Sequence, residues 1–124
     1  MTHPPGLRLL VEAAALVRRG WTQGVDARGA DGAAVDPWDE RAASWSLLGA
    51  IVAVLERDAR ERGEMPLEEL AAALYGLADV IECESLAVWN DDPARRREDV
   101  VAALVASEAL YKAPWPDTAA FVAN

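Results

Sequence analysis

A chain of 124 residues, 52% apolar and 27% charged, has the size and composition of one soluble globular domain with a genuine core. A net charge of −9 argues against a nucleic-acid-binding surface, which needs a basic stripe. The single cysteine, Cys83, excludes an internal disulfide and a cysteine-built zinc site, and the single histidine, His3, leaves no material for a histidine metal site or a Ser-His-Asp triad.

In chain order, residues 1–6 form a terminal segment in which no signal peptide is evident, so a cytoplasmic location is expected. Pro4-Pro5-Gly6 precedes a first helix predicted over Leu7 to Arg19. Leu10, Ala13, Ala14 and Val17 recur at helical spacing, while Arg8, Glu12 and Arg19 take the wet side. Arg18 and Arg19 complement the negative end of the helix dipole, and Gly20 is the stop.

Trp21 to Val35 carries Gly24, Gly29 and Gly32 with Asp26 and Asp31, and reads as one long ordered loop. Asp31-Gly32 is placed to close a small hairpin with at most a short β-bridge. Asp36-Pro37-Trp38-Asp39 reads as the next helix start, with Asp36 as N-cap and Pro37 in the first helical position; a restart at Arg41 is the alternative.

That helix contains the uncharged run Ala42 to Leu55, shorter than the about 20 residues needed to cross a bilayer. Trp45, Leu48, Val52 and Leu55 form one stripe; Leu47, Ile51 and Val54 form another. A helix apolar nearly all round is wrapped by its neighbours, so this one is predicted to be central, running to Arg62 with Gly63 as its stop. The small pair Gly49-Ala50 marks a close helix contact at its middle.

Met65-Pro66 begins a third helix with Glu68 and Glu69 in its first turn and a stripe of Leu67, Leu70, Ala71, Leu74, Leu77, Ala78 and Ile81. Asp79, Glu82 and Glu84 sit where cations are expected, and Arg95, Arg96 and Arg97 are predicted to neutralise Glu82 and Glu84. Cys83, between two carboxylates, reads as a half-buried structural cysteine. Leu86 to Trp89 is an apolar connector, and Asn90-Asp91-Asp92-Pro93 a turn capped by Asp92. A fourth helix spans about Glu98 to Lys112, burying Val100, Val101, Leu104, Val105 and Tyr111. The terminal segment 113–124 lies over the bundle through Trp115 and Phe121. The expected fold is a single all-α domain over 1–124: about four principal helices around a central apolar helix, with one long ordered loop after the first.

Five tryptophans against one phenylalanine is the oddest feature of the composition. Trp21, Trp38, Trp89 and Trp115 fall at helix ends or in connections, where an indole either locks a loop to the core or rims a pocket. The candidate binding site gathers Trp21, Gln23, Trp38, Trp89, Asn90 and Asp91.

Arg19-Gly20-Trp21-Thr22-Gln23-Gly24, the segment Ala42 to Ala50, Glu84-Ser85-Leu86 with Trp89-Asn90-Asp91, and Glu98-Asp99-Val100 together resemble a family of small actinobacterial and phage proteins known only as a domain of unknown function. The resemblance spans about Leu7 to Leu110. The family pattern often has cysteines flanking the central tryptophan, where this chain has Ser44 and Ser46, so the resemblance implies no shared cysteine chemistry. The family brings no established activity, and the resemblance implies the segment boundaries alone.

The expected role is a non-catalytic binding or regulatory module that recognises a small molecule or a protein, another copy of itself included, through its Trp-bearing loops. No cofactor, metal, nucleic acid or membrane is expected. Two alternatives stay open. One is a small hydrolase or transferase using Asp91 with Asn90 or Gln23. The other is an acidic accessory protein, phage- or defence-related, that occupies a basic partner surface.

Overall fold

A computed structural model describes residues 7–82 and 85–112, with 110–112 as backbone only. In chain order come α1 (Leu7–Arg19), β1 (Ala27–Gly29), β2 (Ala42–Trp45), α2 (Leu47–Arg62), α3 (Leu67–Val80), α4 (Leu86–Asn90) and α5 (Arg97–Lys112). The fold is mostly helical, and the all-α expectation is corrected by a two-stranded antiparallel sheet.

α1 is the shared centre. It buries Leu7, Leu9, Leu10, Ala13, Ala14 and Val17 and packs against α2, α3, α5 and β2. The expectation that the uncharged second helix is central is therefore corrected. α2 buries Leu47, Ile51, Val54 and Leu55, but Leu48, Val52 and Ala53 are only half-buried. Full burial of each large aliphatic side chain contributes about 1.5–3 kcal/mol, so the face α2 turns to α1 dominates its docking.

The larger correction concerns residues 36–46. Ala42–Trp45 is a strand, registered Ala27 with Trp45, Arg28 with Ser44 and Gly29 with Ala42, with an irregularity between Arg28 and Gly29. Its other side is also claimed: Trp45 N–H donates to the Gly20 carbonyl at 3.0 Å, and Thr22 N–H to the Trp45 carbonyl at 3.2 Å. Ser46 N–H donates to the Asp26 carbonyl at 2.9 Å. With partners on both flanks, this backbone satisfies its polar groups without a helix, and the helix propensity of alanine is overridden. Asp36 to Asp39 is a turn closed by Asp39 N–H on the Asp36 carbonyl at 2.9 Å. Pro37 is buried, and its carbonyl accepts the Trp45 indole N–H at 3.0 Å. The hairpin tip at Asp31-Gly32 is present as a bridge between Arg28 and Ala34.

α2 starts instead at Ser46, whose hydroxyl accepts from Gly49 N–H at 3.0 Å. Gly49 meets the loop backbone and not a helix: a Cβ there would lie 1.9 Å from the Asp26 carbonyl oxygen. The expected close contact is real, but its partner and its place at the first turn differ from the sequence reading. Gly63, at φ 78°, ends α2 by donating its N–H to the Ala59 carbonyl at 2.8 Å.

Arg8 staples three helices. Its guanidinium bonds Asp58 of α2 through both nitrogens, Glu69 of α3 at 2.9 Å and Glu12 one turn along α1 at 2.8 Å. Asp58 is 2% exposed, and its hydrogen bonds and charge raise the Arg8 pKa above its ordinary value. Helical spacing cannot show this pairing, because its members lie 50 and 61 positions apart.

The stripe expected on α3 is split. Ala73, Gly76 and Leu77 face the core, followed by Ile81, whereas Leu67, Ala71 and Ala78 are exposed. On α5, Val100, Ala103 and Leu104 are buried, and Val105 faces outward, against expectation. Among the described residues the basic run pairs elsewhere than with Glu82. Arg96 lies 3.7 Å from Asp99, Arg97 lies 3.6 Å from Glu98, and Arg95 covers the Trp89 ring. Short local partners cost less side-chain entropy than a reach across the preceding turn. The readings for His3, Cys83, Glu84, Trp115, Phe121 and the Tyr111 side chain fall outside the described residues. No described helix is long and apolar enough to cross a membrane.

Candidate functional site

The turn after α1 and the end of α4 meet over the head of α2. Asn90, 1% exposed, is the joint. Its side-chain oxygen accepts the Trp21 indole N–H at 2.8 Å and the Leu47 N–H at 3.1 Å. Its amide nitrogen donates to the Thr22 carbonyl at 3.2 Å and to Asp91 Oδ1 at 3.0 Å. A buried asparagine has two acceptor lone pairs and two N–H donors, and here all four are used. The Leu47 N–H is one of the donors that a helix start leaves without an intrahelical partner, so Asn90 caps α2 from a distant segment.

Gln23 and Asp91 close the same seam. The Gln23 amide nitrogen donates to the carbonyls of Asn90 at 2.9 Å and Asp92 at 2.8 Å, and Asp91 Oδ1 accepts from Gly24 N–H at 3.0 Å. Arg95 stacks 3.8 Å from the Trp89 ring centroid and donates from Nε to the Trp89 carbonyl at 2.9 Å. Trp21, Gln23, Asn90 and Asp91 are thus brought together with Trp89 next to them in the chain. Their side-chain donors are spent within the fold, which leaves neither Asn90 nor Gln23 a side-chain N–H to offer a substrate.

Trp38 takes part in none of these bonds. It stands 41% exposed at the mouth of a cleft of about 460 Å³ between the 37–40 turn, β2 and the outer face of α2. Trp45, Val54, Leu16 and Ala53 supply the apolar lining, and Arg19, Arg57 and Arg60 supply cations. Arg57 pairs with Glu12 at 2.5 Å and Arg60 with Glu56 at 3.5 Å. Arg19 has no carboxylate within ion-pair distance among the described residues; its guanidinium carbon lies 5.5 Å from the Trp45 ring centroid, in cation–π range.

The cleft also contains acids. Asp39 is held by Arg41, which donates to it from Nε at 3.1 Å, from Nη2 at 2.8 Å and from its backbone N–H at 2.8 Å. These hydrogen bonds lower the Asp39 pKa to about 2. Glu40 and Glu61 line the opening. No group of three or more His, Cys, Asp or Glu among the described residues can hold a metal ion.

Sequence reasoning missed Arg19 and Trp45 as cleft residues. Arg19 reads as a dipole-complementing helix end and Trp45 as a core position, and both readings hold locally. Only the pairing of Trp45 with Gly20 and Thr22 puts the two side by side.

A model of a family of unknown function, DUF6197, matches residues 1–110. No curated protein and no solved structure matches the chain.

Proposed function

The chain belongs to this family of unknown function, and from its own geometry we propose that it is a non-catalytic binding module whose ligand is a small molecule joining a flat ring to an anionic group. The observation that carries this reading is the shared cleft of exposed Trp38 and Arg19, a cation without a carboxylate partner among the described residues. A half-apolar cleft with a few placed polar groups is the usual form of a small-molecule site. Trp21, Gln23, Asn90 and Asp91 serve this site indirectly, by fixing the start of α2 and the turn that leads into β1.

Calorimetric titration with nucleoside monophosphates and aromatic carboxylates tests the reading. Binding by at least one probe, weakened about tenfold or more by Trp38→Ala and by Arg19→Ala with unchanged melting temperature, is the expected result. Absence of binding by every probe, or binding indifferent to both substitutions, overturns it. The hydrolase or transferase reading is less well supported, because the amide groups it needs are occupied within the fold.

A further inference from the structure

We infer that the outward face of α3 is an interaction surface for a basic, amphipathic segment of a partner protein. Leu67, Ala71, Tyr75 and Ala78 follow one another at steps of four, four and three, the spacing that keeps side chains on one side of a helix. All are exposed, Leu67 at 64% and Tyr75 at 77%, and Met65 just before the helix is 43% exposed. The core-facing residues of the same helix, Ala73, Gly76 and Leu77, lie on another side. Single exposed apolar residues are ordinary, but a register of them along one helix is the pattern of a contact surface.

Charge identifies the occupant. Between residues 63 and 82 the chain has no lysine or arginine, and Glu64, Glu68, Asp79 and Glu82 are all exposed. Arg62, the cation before this stretch, is turned to Glu69 at 3.7 Å. A second copy of this face would set acids against acids, a juxtaposition that disfavours association. A segment with leucines on one side and lysines or arginines at its margins satisfies both the apolar register and the acidic flanks, in the helix-on-helix mode of peptide recognition. This surface is separate from the cleft of Trp38 and does not depend on the ligand proposed there.

Hydroxyl-radical footprinting of Leu67 and Tyr75 in the full chain, with and without a model helix of alternating Leu-Leu and Lys-Lys pairs, tests the inference. The expected result is strong labelling of the free chain and several-fold protection on adding the peptide. Tyr75→Ser, and separately Glu68→Lys with Asp79→Lys, should each weaken peptide binding about tenfold or more without lowering the melting temperature. Protection that rises with protein concentration assigns the face to a second copy and overturns the inference. Protection in the free chain at every concentration assigns it to the chain's own residues, with the same consequence. Equal protection by a scrambled peptide of identical composition reduces the effect to net charge and also overturns it.

Discussion

The indole N–H of Trp21 donates to the side-chain oxygen of Asn90 over 2.8 Å, and that same oxygen receives the Leu47 N–H at the head of α2. One acceptor thus ties together three segments: the exit of α1, the start of α2 and the end of α4.

Asn90→Ala is expected to be among the most damaging single substitutions in the chain. It leaves the half-buried Trp21 indole and the buried Leu47 amide without their acceptor, and an orphaned buried donor costs about 1–3 kcal/mol. Loss of about 2–4 kcal/mol in urea unfolding is expected, with a melting temperature lower by on the order of 10 °C. A change below about 0.5 kcal/mol would show that water replaces the asparagine without loss.

Gly49→Ala reverses the usual sign. In an ordinary helix the exchange stabilises by roughly 0.5–1 kcal/mol. Here the added methyl would lie 1.9 Å from the Asp26 carbonyl oxygen, a backbone atom, so the loop has to move. A net destabilisation of about 2 kcal/mol or more is expected. Gly63→Ala provides the comparison: nothing lies within 4 Å of its Cβ position, and only its φ of +78° is unfavourable, so about 1 kcal/mol is expected there.

Arg8→Met strands the Asp58 carboxylate inside the α1–α2–α3 junction. Removing one partner of a buried pair typically costs 3–5 kcal/mol, and partial exposure of Arg8, 34% for its side chain, places this case nearer about 2–3 kcal/mol. Adding Asp58→Asn removes the stranded charge and should recover part of the loss. If the double variant is no better than Arg8→Met alone, the penalty comes from the arginine's packing and not from the carboxylate.

The pH response of Asp39 carries a definite sign. Its folded pKa, near 2, lies below the ordinary carboxylate value of 3.8 because Arg41 hydrogen-bonds the ionised form. A depressed folded pKa contributes stability that is present above the unfolded value and is lost as pH falls from about 4 to about 2. In a carboxyl-carbon NMR titration, Arg41→Ala should move the Asp39 midpoint upward toward 3.8. An unmoved midpoint would mean that Arg41 does not hold the carboxylate in solution.

The helices α1 and α2 were legible in the sequence wherever local rules decided the outcome. α1 ends where its Gly20 exit predicts, and Gly63 caps α2 as read. Trp45 and Ile51 are buried as the apolar patterning requires. Residues 36–46 were misread because Ala42-Ala43-Ser44-Trp45 has no strand alternation, and its β conformation is imposed by Gly20, Thr22 and Arg28, all distant in sequence. The same long-range pairing explains why the predicted site residues come together only in part. The turns of Trp21–Gln23 and Asn90–Asp91 were expected to converge from the placing of tryptophans at helix ends, and they do meet. That Asn90 spends its whole hydrogen-bonding capacity inside the fold, and that Trp38 sits in a different cleft, depends on contacts no local pattern encodes.

Because Gly20, Thr22 and Trp45 zip the two ends of the 20–46 excursion together, the helices register its closure and not its length. Its tip, residues 30–34, is exposed throughout. Doubling a flexible loop costs only about 0.6 kcal/mol in closure entropy, so this tip is a natural grafting point where an epitope or a whole guest domain can be spliced in while the scaffold beneath keeps its shape.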